Sequence, residues 1–143
     1  MKLKQVVIAG CVVALLALTV YLLESTETST RLPEHKVRLE LTERAGEFNR
    51  TLPRLLDEHT KFQYAEADHL GMRFVYSLIQ VERLSHDVDA LREQIEPQIK
   101  QQYCQSEAFE FYRKHVRFFE IVYRDQNDQF LFTLRFDGTN CSD

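Results

Sequence analysis

Glycine is scarce in this chain, and tryptophan is missing. Only 4 glycines stand among 143 residues, too far apart for a phosphate-binding loop or for the Gly-x-Ser-x-Gly turn of a nucleophilic hydrolase. The sequence also contains no His-Glu-x-x-His, Cys-x-x-Cys or EF-hand pattern. These absences predict no metal, no cofactor and no enzymatic activity, although a catalytic site assembled from scattered residues would leave no local motif.

Two short runs come nearest to a metal or acid–base site, Asp57-Glu58-His59 and His86-Asp87 with Asp89. Adjacent residues on a helix do not face one another, so these runs are poor ligand sets and we expect capping or surface roles. A Cys104 nucleophile with His115 as its base is a further alternative. A cysteine held in a disulfide, however, cannot attack a substrate.

Clusters of positive charge are missing as well. Lys2 and Lys4 are the only charged residues before residue 24, and the remainder of the chain carries a net charge of −6. Nucleic-acid affinity rests on clustered lysine and arginine, so we expect no nucleic-acid partner.

The chain does have one long apolar segment near its start. Residues 6–23 are 18 residues without a charge, just enough for a helix to cross a bilayer core of about 30 Å. Lys2 and Lys4 precede the segment, and by the positive-inside rule they stay in the cytoplasm. The pattern predicts that residues 1–23 form a single-pass anchor in the inner membrane, which leaves the rest of the chain in the periplasm.

Two other interpretations of this segment stay open. A cleaved secretory signal has a shorter apolar region and small residues before the cut, and residues 24–30 are small and polar but lack an Ala-x-Ala site. Ile8-Ala9-Gly10-Cys11 matches the acylation box of a bacterial lipoprotein, but most of the apolar run follows the cysteine instead of preceding it. Residues 1–23 are therefore retained, cleaved or acylated at Cys11, and we favour the retained anchor.

Cys104 and Cys141 are the two cysteines outside the apolar segment. An oxidising compartment allows them to form a disulfide. In the chain-entropy model a loop of this length contributes about 4 kcal/mol to stability. We predict a Cys104–Cys141 disulfide that fixes the C-terminal tail to the end of a helix, with two free buried thiols as the alternative.

Residues 24–32, rich in Ser, Thr and Glu, are typical of a flexible spacer, and residues 33–143 are predicted to form one exported domain. The domain begins with apolar residues at helical spacing: Val37, Leu41, Ala45, Phe48, Leu52 and Leu55. Pro53 predicts a kink or a restart in this helix, with Thr51 as the cap of the second piece.

Alternating apolar and polar residues predict four strands, at 61–67, 73–79, 116–124 and 129–136. Between the second and third strands we predict a helix that is capped by Ser85 and interrupted at Pro97, and then a short helix capped by Ser106. The order predicts an α+β fold in which an antiparallel sheet of about four strands is covered by helices on one face. The N-terminal transmembrane helix precedes this domain.

Aromatic side chains are abundant in the predicted strands, and adjacent ones such as Phe118 and Phe119 must point to opposite faces of a sheet. Helices then cover one face, and the membrane-proximal or partner side covers part of the other. Alternatively, an apolar groove or sheet edge is exposed for a protein partner or a lipid-like ligand. The candidate residues for such a surface are Phe74, Tyr76, Phe118, Phe119, Phe130 and Phe132.

The run from Leu52 to Thr60, "LPRLLDEHT", together with Cys104, Tyr123-Arg124-Asp125 and Cys141, resembles a family of small exported envelope proteins of Gram-negative bacteria. The resemblance spans about residues 50–141 and implies an exported two-cysteine domain without an assigned activity or catalytic residue. The chain departs from the family at Asn127-Asp128, where a glycine is usual.

These features predict a membrane-tethered periplasmic protein that binds a protein partner in the cell envelope. The alternative is a periplasmic domain that holds a lipid or another apolar small molecule between the sheet and the helices.

Overall fold

Residues 31–141 are described by a computed structural model, and they form three α-helices and five β-strands. The elements in chain order are α1 (Glu34–Asn49), β1 (Arg54–Leu55), β2 (Thr60–Asp68), β3 (Gly71–Leu78), α2 (Val88–Gln105), α3 (Glu110–His115), β4 (Phe118–Arg124) and β5 (Phe130–Phe136). Short 3-10 helices lie at Glu107–Phe109 and Gly138–Cys141. No helix within residues 31–141 is long and apolar enough to cross a membrane. The predicted anchor and nearly all of the predicted spacer lie outside the described residues.

The five strands form one sheet in the order β1-β2-β3-β4-β5. Neighbouring strands are antiparallel except β3 and β4, which run parallel. The predicted α+β class is confirmed, but the sheet is mixed instead of antiparallel and has five strands instead of about four. The connection from β3 to β4 contains α2 and α3, and this crossover returns the chain to the end where β3 began, so β4 runs in the same direction. Strand β1 has only two residues, too few for an alternating pattern.

Helix α1 buries the predicted stripe of Val37, Leu41 and Ala45. It ends at Asn49, and the chain turns into β1 instead of starting a second helical piece, so the predicted kink or restart is wrong. The Leu52–Pro53 peptide bond is cis. Proline lacks the N–H that a helix needs and disfavours helical conformation in the residue before it, so the helix ends ahead of Pro53.

Helix α2 is capped by Asp87, not by Ser85 as predicted, because the Asp87 carboxylate accepts hydrogen bonds from the N–H groups of Asp89 and Ala90. The helix continues through the exposed Pro97 without a break. At its C-terminal end, Cys104 forms a disulfide with Cys141, as the sequence predicted.

The helices cover one face of the sheet. Phe48 of α1 packs on Phe62 and Phe74, and Tyr103 of α2 stacks on Phe119 and Phe136. The alternating apolar residues of β3, β4 and β5 lie on that face and are buried: Met72, Phe74, Tyr76, Leu78, Phe119, Ile121, Tyr123, Phe132, Leu134 and Phe136. Arg73, Val75, Glu120, Thr133 and Arg135 lie on the second face, which we call the open face.

Candidate functional site

The two ends of the domain differ in chemistry. The entry end contains the start of α1, the β2–β3 turn and the starts of β3 and β4, because the parallel strands begin on the same side. The loop end contains the segments 50–59, 79–87 and 125–129, where β3 and β4 finish. Each end carries one candidate surface.

The predicted apolar surface is not exposed as a whole. Phe74, Tyr76, Phe119 and Phe132 are at most 9% exposed, since they belong to the face that α1 and α2 cover. Tyr76 and Tyr123 meet edge to face with their ring centroids 5.6 Å apart, and Tyr123 stacks on Phe132 at 4.8 Å. This part of the candidate surface is a filled core, and its assignment as a binding surface is wrong.

Phe118 and Phe130 are the two predicted residues that do reach the surface. Phe130 is 52% exposed at the start of β5, and Phe118 is half-buried at the start of β4. They lie at opposite ends of the domain, so they do not belong to one surface.

At the loop end, Phe130 is accompanied by three exposed leucines. Six large apolar side chains are exposed among the described residues, and four of them lie at this end: Leu55, Leu56, Leu84 and Phe130. Leu84 is the most exposed, at 89%. The four residues lie on separate segments, from β1 at one edge of the sheet to β5 at the other, and we call them together the apolar patch. Single exposed apolar residues are ordinary, but a concentration at one end is typical of an interaction surface.

Helix α2 begins beside this patch with an incompletely buried stripe. Val88, Leu91 and Ile95 are half-buried, whereas Tyr103, near the other end of the same helix, is 1% exposed. The helical spacing of Val88, Leu91 and Ile95 predicts a buried stripe, but spacing alone does not show that its first two turns are only partly covered. Leu84 was missed for a different reason, since it stands alone among polar residues.

Two of the three segments of the loop end, 79–87 and 125–129, are held together by the buried carboxylate of Asp125. It accepts hydrogen bonds from the N–H groups of Asn127 and Gln129 at 2.8 Å and from the N–H of Arg83 at 3.1 Å. Burial alone would raise the pKa of Asp125, but these backbone hydrogen bonds hold its pKa below the usual range. The apolar patch therefore stands on ordered loops, which lowers the entropy lost on binding.

The acidic and histidine runs singled out in the sequence serve the same kind of local role. Asp57 accepts hydrogen bonds from the N–H groups of His59 and Thr60, and the bond from His59 holds the pKa of Asp57 below its usual range. Asp87 caps α2, as described above. No group of three or more metal-ligating side chains is found within residues 31–141.

A ladder of alternating charges crosses the open face of the sheet. Glu66, Arg73, Glu120 and Arg135 lie directly opposite one another on β2, β3, β4 and β5. Arg73 donates to Glu120 at 2.5 Å, and Arg135 lies 3.5 Å from the other oxygen of Glu120. The hydrogen bond with Glu120 raises the pKa of Arg73. The Glu120 side chain is only 7% exposed, and each of its two oxygens holds one guanidinium group.

The ladder leads to a cleft of about 530 Å³ at the entry end. Phe118 forms one wall, and its ring lies so close to Gly71 that a Cβ atom there would be 2.2 Å from the ring. The guanidinium carbon of Arg135 lies 3.9 Å from the centroid of that ring. The lining is mostly charged: Glu34, Arg38, Asp68, His69, Leu70, Arg117, Phe118 and Arg135.

No family model matches the sequence, and no curated protein matches it. The fold nevertheless has solved relatives. A Pseudomonas aeruginosa protein proposed to be secreted is similar over 76% of this chain and 96% of its own, with a TM-score of 0.62 and 17% sequence identity. The Leu52–Thr60 motif gains no support from a family model, so it remains a resemblance.

Two further structural neighbours are pilotins of type II secretion systems. EpsS from Vibrio vulnificus aligns with 77% of this chain and 96% of its own length, with a TM-score of 0.62 and 14% identity. AspS from Vibrio cholerae aligns with 76% and 94%, with a TM-score of 0.60 and 14% identity. At such identities the likeness establishes a shared fold.

Proposed function

We propose that the chain is a protein-binding module of the Gram-negative cell envelope, tethered to the inner membrane by residues 6–23 with its domain in the periplasm. The observation that carries the binding role is the gathering of Leu55, Leu56, Leu84 and Phe130 at the loop end. The partner is a protein of an envelope assembly that presents a complementary apolar surface.

The comparisons support this proposal through the fold. Two of the similar structures are pilotins of type II secretion systems, and a third is a protein proposed to be secreted. The disulfide between Cys104 and Cys141 is also what an exported domain of this size would use. These points favour an envelope location, and the apolar patch supplies the surface.

The arrangement of the two ends supports a tethered binder. The described chain enters at the start of α1, at the entry end, whereas the apolar patch lies where β3 and β4 finish, at the opposite end of the sheet. A strand of this sheet spans about 20 Å, which separates the patch from the point of attachment. A partner would therefore bind at the end of the domain opposite to the start of α1.

The alternative, a domain that holds a lipid or another apolar molecule between sheet and helices, receives no support from the described interior. The space between them is occupied by the aromatic core, which includes Phe74, Tyr76 and Phe119. A second described cleft, of about 430 Å³, lies on the open face and is lined largely by polar side chains, including Lys61, Gln63 and Asp128.

The proposal is tested by chemical crosslinking in intact cells that produce the full chain. We expect a discrete heteromeric adduct that disappears in the Leu84→Ser/Phe130→Ser variant. It should persist in Leu39→Ser, which changes a leucine that is 69% exposed on α1 outside the patch. Monomer alone under all crosslinking conditions would count against the proposal. The mass of the protein purified from membranes shows in the same cells whether residues 1–23 are retained.

A further inference from the structure

The lining of the entry-end cleft carries more positive than negative side chains, whereas the chain after residue 23 is acidic. Three arginines and one histidine line it, Arg38, Arg117, Arg135 and His69, against the two carboxylates of Glu34 and Asp68. The chain after residue 23 has a net charge of −6, so this is a local concentration of positive charge on an acidic protein. Such a cleft attracts an anion.

Two of the three guanidinium groups are available to a ligand. Arg38 pairs with no carboxylate in the described part of the chain. Within residues 31–141, Arg117 pairs only with Glu34, at 3.2 Å, and both side chains are about 75% exposed. An ion pair this exposed contributes about 0–1 kcal/mol, so a ligand replaces it at little cost.

The third guanidinium group, that of Arg135, is held in position. Glu120 lies on one side of it at 3.5 Å, and the Phe118 ring lies under its plane. A guanidinium carries five N–H donors in a planar fork, and one carboxylate contact leaves most of them free. The planar fork matches the geometry of a phosphate oxygen pair.

The position of the cleft indicates where the phosphate comes from. Glu34 and Arg38, which line the cleft, follow the predicted spacer closely, and a flexible linker of nine residues would span about 17 Å on average. Arg31 and Lys36 add two positive charges in the same stretch of sequence, and Glu24 and Glu27 balance them, so the attraction to an anion rests on the arginines of the cleft. Basic residues close to an anionic bilayer are attracted to it, by about 1 kcal/mol each.

We propose that the entry-end cleft binds the phosphodiester of an anionic phospholipid headgroup, with Arg38, Arg117 and Arg135 as its donors. The inference rests on the tether of the proposed function, which brings the cleft to the membrane surface. Binding there holds the domain with its entry end against the bilayer and its apolar patch directed away from it.

The test uses the full chain in micelles of a neutral detergent, titrated with short-chain phosphatidylglycerol, short-chain phosphatidylcholine or inorganic phosphate. Hydrogen–deuterium exchange follows the peptides that contain the start of α1 and the His69–Leu70 turn. We expect phosphatidylglycerol to slow exchange in these peptides, with little effect of the other two. Equal protection by inorganic phosphate would overturn the assignment of a phospholipid headgroup as the ligand. No protection by any of the three would overturn the site.

The variants make the test specific. Arg38→Gln/Arg117→Gln should raise the half-saturating concentration of phosphatidylglycerol about 30-fold, the equivalent of about 2 kcal/mol for two charges. The control variant is Arg50→Gln/Arg92→Gln. It removes one arginine that forms no ion pair within the described residues and one from the exposed Arg92–Glu96 pair, and it should change the half-saturating concentration by at most about twofold. If both variants weaken phosphatidylglycerol binding equally, the binding depends only on the net charge of the protein and the proposal is overturned. Unchanged exchange in the peptides that contain residues 79–87 and 125–129 shows that the variants are folded.

The titration and the proposed function fail independently. A cleft that binds no phospholipid leaves the crosslinks at the loop end unaffected, because Arg38 and Arg117 lie at the other end of the sheet. Loss of residues 1–23 in cells would remove the tether and shows directly in the mass of the mature protein.

Discussion

The side-chain amide of Asn49 pairs with the backbone of Ala65 as a neighbouring strand would. It donates to the Ala65 carbonyl at 2.9 Å and accepts from the Ala65 N–H at 2.8 Å. Strand β1 pairs with β2 only through Arg54 and Leu55, so the outer edge of β2 is otherwise unpaired at this point. The last residue of α1 thus satisfies backbone groups that an edge strand would leave open.

Replacing Asn49 by alanine should lower the free energy of unfolding by about 1–3 kcal/mol, because two partly buried backbone groups lose their hydrogen bonds. Urea denaturation measures this loss. Asn127→Ala is the control, since the Asn127 side chain makes no hydrogen bond among the described residues, and it should change stability by at most about 0.5 kcal/mol. Equal midpoints for the two variants would show that the Asn49 amide is not needed at this edge.

Gly71→Ala should destabilise the domain through its collision with Phe118. A Cβ atom at residue 71 would lie 2.2 Å from the ring, and overpacking of this kind typically costs about 1–3 kcal/mol. Phe118→Ala in the same chain removes the collision, so the double variant should be more stable than the sum of the two single effects predicts. Strictly additive effects in a denaturation cycle would rule out the contact.

Asp125 should make the stability of the loop end depend on pH. Its pKa is held below the usual range in the folded state, so its contribution is fully present above the unfolded value of about 3.9. It is lost as the pH falls through the lower, folded value. Denaturant midpoints measured from pH 6 to pH 3 should therefore fall less steeply for Asp125→Asn than for the parent chain. Parallel curves would contradict the assignment.

Removal of the disulfide tests the tail attachment. Cys104 and Cys141 are 37 residues apart, and a closed loop of that length contributes about 4 kcal/mol in the chain-entropy model. Cys104→Ser/Cys141→Ser should lose about that much in a denaturation experiment under non-reducing conditions. Cys11→Ser should leave the unfolding of the domain unchanged. A double variant as stable as the parent would show that the bridge adds nothing to folding.

The spacing of apolar residues along the chain correctly predicted which side of an individual helix or strand is buried. The stripe of Val37 and Leu41 and the alternation of Phe132 and Leu134 each identify one buried face, and the structure places all four in the core. The cysteine pair was predicted from compartment and parity, and it is bonded. These inferences needed only the neighbouring residues and the number of cysteines.

Inferences that depend on distant partners failed. The parallel pairing of β3 and β4 depends on the path of the chain through α2 and α3, which no local pattern reveals. Phe74 and Phe119 were assigned to a surface, but they are buried. Their burial depends on which face of the sheet the helices cover, and the sequence does not show this. The apolar patch joins Leu84 with Leu55, 29 positions earlier, and only the folded chain brings them to the same end.

A photo-activated crosslinker placed at single positions of the full chain in intact cells shows whether the loop end binds a protein partner. Positions Leu84 and Phe130 report on the apolar patch, and Leu39 reports on an exposed leucine outside it. We expect one shared adduct of defined mass from Leu84 and Phe130 and none from Leu39. Monomer alone from both patch positions, or the same adduct from Leu39, would contradict this proposal.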